Sequence, residues 1–158
     1  MMPSRSPAVS VSDLVVRPHH TAFSCRDWEG SRRFFVDVVG FKVLGEDHDR
    51  GEPELAEVVG MPGARCRWAM LERDGYHIEL FQWLTPAGSA VNIRQCDIGY
   101  THIAFQVKDA AEVQRRLIAS GYQPVSRPIP VRGGRANAFY CHGPEGCIVE
   151  FVEYPFGA

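Results

Sequence analysis

The chain writes one eight-residue phrase twice, HTAFSCRD at residues 20–27 and HIAFQVKD at residues 102–109. A second phrase is also repeated, GYHIELFQW at 75–83 and GCIVEFVEY at 146–154. Each half of the chain therefore runs from a histidine phrase to a glutamate phrase, and a repeat on this scale constrains the fold more than any single motif. The segments between correspond as well. Asp27 and Asp109 each stand where a helix N-cap is expected, and Glu112 adds a capping-box pattern. Phe34, Phe35, Val38 and Val39 give the first helix an apolar stripe, and Val113, Leu117 and Ile118 the second. Each helix stops at a glycine followed by an aromatic residue, Gly40-Phe41 and Gly121-Tyr122.

Alternation in CRWAMLER (66–73), YHIELFQW (76–83) and ANAFYCH (136–142) reads as strand. Each half is thus strand, helix and about three strands. The expected fold class is α+β, with paired βαβββ modules forming a curved sheet cleft. The expected divisions are an N-terminal lead-in over 1–16, a first module over 17–84, a linker over 85–97 and a second module over 98–155, making one domain. A length of 158 residues suits that.

Strand alternation sorts the side chains. His20, Ala22 and Ser24 share one face, as do His102, Ala104 and Gln106, while Phe23 and Phe105 turn to the helix side. Glu79 shares a face with His77 and Phe81, and Glu150 with Ile148 and Val152. A mid-strand carboxylate among apolar neighbours is costly unless partnered. Taken singly, a strand histidine is an ordinary hydrogen-bonded residue. Two histidines and two glutamates at matching places in both halves point instead to one divalent metal ion held by His20, Glu79, His102 and Glu150. Imidazole and carboxylate donors suit nickel, zinc, cobalt, manganese or iron. His19 is expected to face the helix side or solvent, His77 to line the pocket, and His48 and His142 to lie in surface loops. Trp68, Met70 and Phe139 are further candidates for the pocket wall.

A net charge of −2 creates no field that favours nucleic acid or a membrane surface, and no apolar run approaches the length of a membrane span. The five cysteines form no CxxC pair, which reads as reduced thiols in cytoplasm.

On HTAFSCRD, SRRFFVDVVGFKVL, YHIELFQW, GYTHIAFQVKD and GPEGCIVEFVE, the chain resembles the vicinal oxygen chelate superfamily over roughly residues 17–154. That group includes glyoxalases, methylmalonyl-CoA epimerases, extradiol dioxygenases and bleomycin- or fosfomycin-resistance proteins. The resemblance implies the same paired modules and the same four metal positions. A glutamate at position 79 looks like the glyoxalase pattern and is close to the epimerase one, whereas extradiol dioxygenases use two histidines and one carboxylate.

The resemblance implies a metal-dependent lyase or isomerase that removes a proton next to a carbonyl, with Glu150 as base, Glu79 as the alternative base, and a second copy of the chain as its partner in a homodimer. It implies a small-molecule substrate, such as a thiol or coenzyme A conjugate, with Arg132 and Arg135 beside Gly133-Gly134 placed to grip an anionic tail. An Fe(II)-dependent extradiol-type dioxygenase and a non-catalytic ligand-binding or resistance protein are the alternatives. The stretch GEDHDRGEPELAEVVGMPGARCRW (45–68) departs from a compact glyoxalase by its length.

Overall fold

A computed structural model describes residues 10–12 and 14–155. Most of the expected lead-in lies outside these residues. The first half runs β1 (His20–Ser24), α1 (Trp28–Arg33), a π-helical continuation (Phe34–Val39), β2 (Lys42–Arg50), α2 (Pro53–Val58), β3 (Arg65–Arg73) and β4 (Tyr76–Thr85). The second runs β5 (His102–Val107), α3 (Ala110–Ala119), β6 (Gln123–Pro124), β7 (Ile129–Val131), β8 (Ala136–His142) and β9 (Ile148–Glu153). Residues 86–101 between the halves contain no helix or strand.

The two sheets repeat one topology. The order is β1-β4-β3-β2 in the first and β5-β9-β8-β6 in the second, with β7 also pairing β8. In each, the histidine strand lies parallel beside the glutamate strand, His20 opposite His77 and His102 opposite Ile148. The fold is α+β with paired modules, as the repeat implies.

Local chemistry explains the helix boundaries. The Asp27 carboxylate accepts from the Gly30 amide at 3.0 Å, and Asp109 from the Glu112 amide at 2.8 Å. Both helices end in a glycine with φ of 89°, a left-handed conformation that a Cβ would strain. The capping box does not close. The Glu112 carboxylate instead takes Arg115 at 2.6 Å and Arg116 at 2.7 Å, because two guanidiniums one turn away outcompete a single backbone amide. Ile118 is 58% exposed rather than part of the stripe, since it stands a helical step round from buried Leu117. In the first helix the wider π-helical turn accommodates two consecutive aromatics, Phe34 and Phe35, both fully buried.

One core joins the modules. Phe34, Phe35, Leu71, Ile78 and Leu80 from the first pack in the same cluster as Ile103, Leu117, Phe139, Val149 and Phe151 from the second. Phe34 meets Tyr122 edge-on at 4.9 Å and Phe41 meets Phe105 at 5.8 Å. Glu145 adds a polar staple across the modules: its Oε1 accepts the backbone N–H of Arg26 at 2.7 Å and of Asp27 at 2.5 Å. Glu145→Ala removes both bonds from a partly solvated position, so it is expected to lower the unfolding free energy by about 1–2 kcal/mol in urea titrations. An unchanged midpoint would mean that water replaces the carboxylate without loss.

Candidate metal site

The glutamate strands turn one face to the shared core and the other away from it. Ile78 and Leu80, flanking Glu79, and Val149 and Phe151, flanking Glu150, all lie in the core. Glu79 and Glu150 therefore face outward from it, retaining 16% and 18% side-chain exposure. The histidines reach the same faces. His20 Nε2 lies 3.0 Å from Glu79 Oε2, and His102 Nε2 lies 3.4 Å from Glu150 Oε2. The modules thus build the same His–Glu pair twice.

Each histidine is also held from behind by the residue before it. His20 Nδ1 is 2.7 Å from His19 Nδ1, and His102 Nδ1 is 3.1 Å from Thr101 Oγ1. Occupying Nδ1 orients the ring and leaves Nε2 as the outward donor. His19 is exposed, as expected, but it is not idle: it also stacks on His77 at 5.7 Å with an 11° interplanar angle.

The two pairs do not meet within the chain. Among the described residues no group of three or more His, Cys, Asp or Glu side chains is placed to hold a metal ion. The reason is the shared core: packing the helix sides together turns the two ligand faces away from each other. The donors of the two pairs, two imidazoles and two carboxylates, are of the kinds that fit a divalent ion.

The surrounding faces differ. In the first module Trp68 and Met70 stand opposite Phe81 and Glu79 across β3 and β4, on the ligand face where the alternation places them. His77 lies opposite His20 on that face. Trp83 stacks on Phe81 at 5.0 Å and donates to Ser24 Oγ at 3.1 Å. In the second module Phe139 is a correction. It is 1% exposed, stacked on Phe151 at 5.3 Å in the core, so it does not line the ligand face. Its neighbour Tyr140 does, opposite Glu150 and 5.3 Å edge-on to the His102 ring. Burial, and then the Glu150 charge, raise the Tyr140 pKa, keeping its hydroxyl protonated.

Arg132 lies over the Tyr154 ring at 5.5 Å, at the end of the β9 face that carries Glu150. Arg135 Nε donates to the Arg132 carbonyl at 3.1 Å, tightening that loop. His48 and His142 lie in β2 and β8 rather than in loops, both exposed. A cavity of about 580 Å³ opens where residues 86–101 cross between the modules, lined by Ser24, Cys25, Trp83, His102 and Cys147 but by neither glutamate.

All five cysteines are free. Burial pushes the thiols of Cys25 and Cys141 up to about 11 and that of Cys147 to about 12. Iodoacetamide at pH 8 is therefore expected to label exposed Cys96 first, read by peptide mass spectrometry; fast labelling of Cys147 in the native protein would contradict this packing.

Comparison with known proteins agrees with this fold. The family model described as the Glyoxalase/Bleomycin resistance protein/Dioxygenase superfamily matches residues 17–151. A lactoylglutathione lyase of Salmonella typhimurium is 26% identical over 136 residues, covering 85% of this chain and 90% of that protein. A glyoxalase family protein from Bacillus cereus superposes with a TM-score of 0.83 at 21% identity, over 92% of this chain and 99% of the other. The Mn(II)-complexed fosfomycin resistance protein FosX of Listeria monocytogenes superposes with a TM-score of 0.59 at 14% identity, over 88% and 93%.

Proposed function

The chain belongs to the glyoxalase/bleomycin resistance protein/dioxygenase superfamily, and on that premise we propose that it is a metal-dependent lyase or isomerase of the glyoxalase or acyl-CoA epimerase type. The observation that carries the proposal is the doubled His–Glu pair, with Nε2 turned to the carboxylate and Nδ1 held from behind in both modules. His20, Glu79, His102 and Glu150 would hold one divalent ion among Ni, Zn, Co, Mn or Fe. A second carboxylate at position 79 favours this reading over ring-cleaving oxygenation, which uses two histidines and one carboxylate.

The ion would act as a Lewis acid on the substrate carbonyl and on the enediolate or enolate oxygen that follows, a contribution of several kcal/mol. The chain's own residues handle the proton. Glu150 takes it from the carbon beside the carbonyl and holds it as a carboxylic acid. It then returns it to the adjacent carbon for isomerisation, or to the opposite face for epimerisation. Glu150 suits this role because its one ion-pair contact among the described residues, to His102, is long at 3.4 Å. Glu79 is the alternative base. His20 and His102 stay fixed through their Nδ1 contacts. Trp68, Met70 and His77 wall the first half of the pocket and Tyr140 the second. Arg132, braced by Arg135, is placed to take the anionic tail of a thiol or coenzyme A conjugate.

Because one chain turns its two pairs apart, the active form is a homodimer in which the first module of each chain faces the second module of its partner. The lactoylglutathione lyase relative acts, as its name states, on a glutathione conjugate, and a substrate of that size suits such a cleft. Free buried thiols fit a reducing cytoplasm. No helix among the described residues is long and apolar enough to cross a membrane. The test is turnover of hemithioacetals and of acyl-CoA thioesters by metal-loaded and chelated protein. Metal-dependent loss of one substrate class is expected; equal rates with and without metal would sink the reading.

A further inference from the structure

The two ligand carboxylates are not held alike. Trp68, the last residue of the long 45–68 stretch, donates its indole Nε1–H to Glu79 Oε1 at 2.6 Å. That leaves Oε2 as the oxygen facing His20 at 3.0 Å. The indole is itself braced. The Arg50 guanidinium lies over its ring at 5.2 Å, and Arg50 Nε donates to Glu52 Oε1 at 3.0 Å. Glu52 is the N-cap residue of α2. A continuous chain of contacts therefore runs Glu52, Arg50, Trp68, Glu79, His20, from the segment that lengthens this module to its metal-facing carboxylate.

The second module lacks this device. Tyr140 stands opposite Glu150, the place in β8 that Met70 takes opposite Glu79 in β3, and donates no hydrogen bond to it among the described residues. A carboxylate that accepts a short N–H bond is fixed in rotation, whereas one with a single long contact is free to turn.

We propose that Trp68 is a positioning residue that locks Glu79 as a stationary ligand, so that of the two equivalent carboxylates Glu150 alone is free to move and carry the proton. This rests on the metal-site reading above. It also assigns a purpose to the 45–68 stretch, as the brace of one half of the coordination sphere.

Indole ¹⁵N–¹H spectra of the metal-free protein test the contact directly. Trp28, Trp68 and Trp83 give three resonances, and Trp68→Phe identifies the one concerned. That resonance is expected downfield of the others, and to move upfield in Glu79→Ala but not in Glu150→Ala. Zinc affinity, measured by chelator competition, is expected to fall tenfold or more in Trp68→Phe, and by less than threefold in Tyr140→Phe. An indole resonance indifferent to Glu79→Ala, or a Trp68→Phe protein with unchanged zinc affinity, overturns the proposal. Should Trp68→Phe fail to fold, the spectra of the two glutamate variants decide alone. Wild-type protein that takes up no zinc overturns instead the metal reading of the preceding section, and the ligand role of Glu79 falls with it.

Discussion

Glu150→Gln is expected to lower turnover by roughly a hundred- to ten-thousandfold, the range for loss of a positioned general base, while the protein still takes up its divalent ion. His102→Ala is expected to abolish uptake and turnover together. The contrast follows from the geometry. Both residues belong to one pair, 3.4 Å apart, but they do different work. The His102 ring is held through Nδ1 by Thr101 and offers Nε2 as a fixed donor, so its removal opens the coordination sphere. Glutamine keeps a carbonyl oxygen where the Glu150 carboxylate stands, and so keeps a weak ligand, but it cannot accept and return a proton at neutral pH. Rates on the preferred substrate, measured beside metal content, check both. A Glu150→Gln protein with wild-type turnover would transfer the base to Glu79; one that lost its metal as completely as His102→Ala would make Glu150 a structural ligand only.

Two inactive chains, mixed, are expected to restore one another. One carries His20→Ala with Glu79→Ala, the other His102→Ala with Glu150→Ala. Neither can build a complete site alone. If the site forms between chains, a mixed dimer carries one intact first module facing one intact second module. Random exchange makes half the dimers mixed, each with one good site of two, so about a quarter of wild-type activity should return. The expectation comes from the core: Phe34, Leu80, Leu117 and Phe151 lie in one cluster, which commits both helix sides to the chain interior and turns both ligand faces outward. Were the four ligands to meet within a single chain, the mixture would stay as inactive as its components.

The repeat made much of this legible. Strand alternation alone placed His20 and His102 opposite the faces of Phe23 and Phe105, and period-two reasoning set Glu79 and Glu150 away from the core; the burial of β1, β4 and β5 follows that pattern, whereas in β9 Ile148 and Val152 beside Glu150 are buried too. Helix starts and stops were readable because Asp27, Asp109, Gly40 and Gly121 act through their own backbone neighbours. What lay beyond reach depended on choices between similar residues. In ANAFYCH both faces carry apolar or aromatic side chains, so nothing local says whether Phe139 or Tyr140 turns to the ligand; only pairing with β9 decides. The Glu112 carboxylate had a second set of partners within reach, Arg115 and Arg116, which the capping-box pattern leaves out of account. The Trp68–Glu79 bond joins neighbouring strands through a residue whose size reads simply as packing. The way the two modules dock leaves no periodic trace at all.

Metal analysis of protein purified without an affinity tag tests whether His20, Glu79, His102 and Glu150 hold an ion at all. After supplementation and gel filtration, about one divalent ion per chain is expected, since two chains would form two complete four-donor sites, and His102→Ala should retain none. Folded, supplemented wild-type protein that holds no stoichiometric ion would contradict the account.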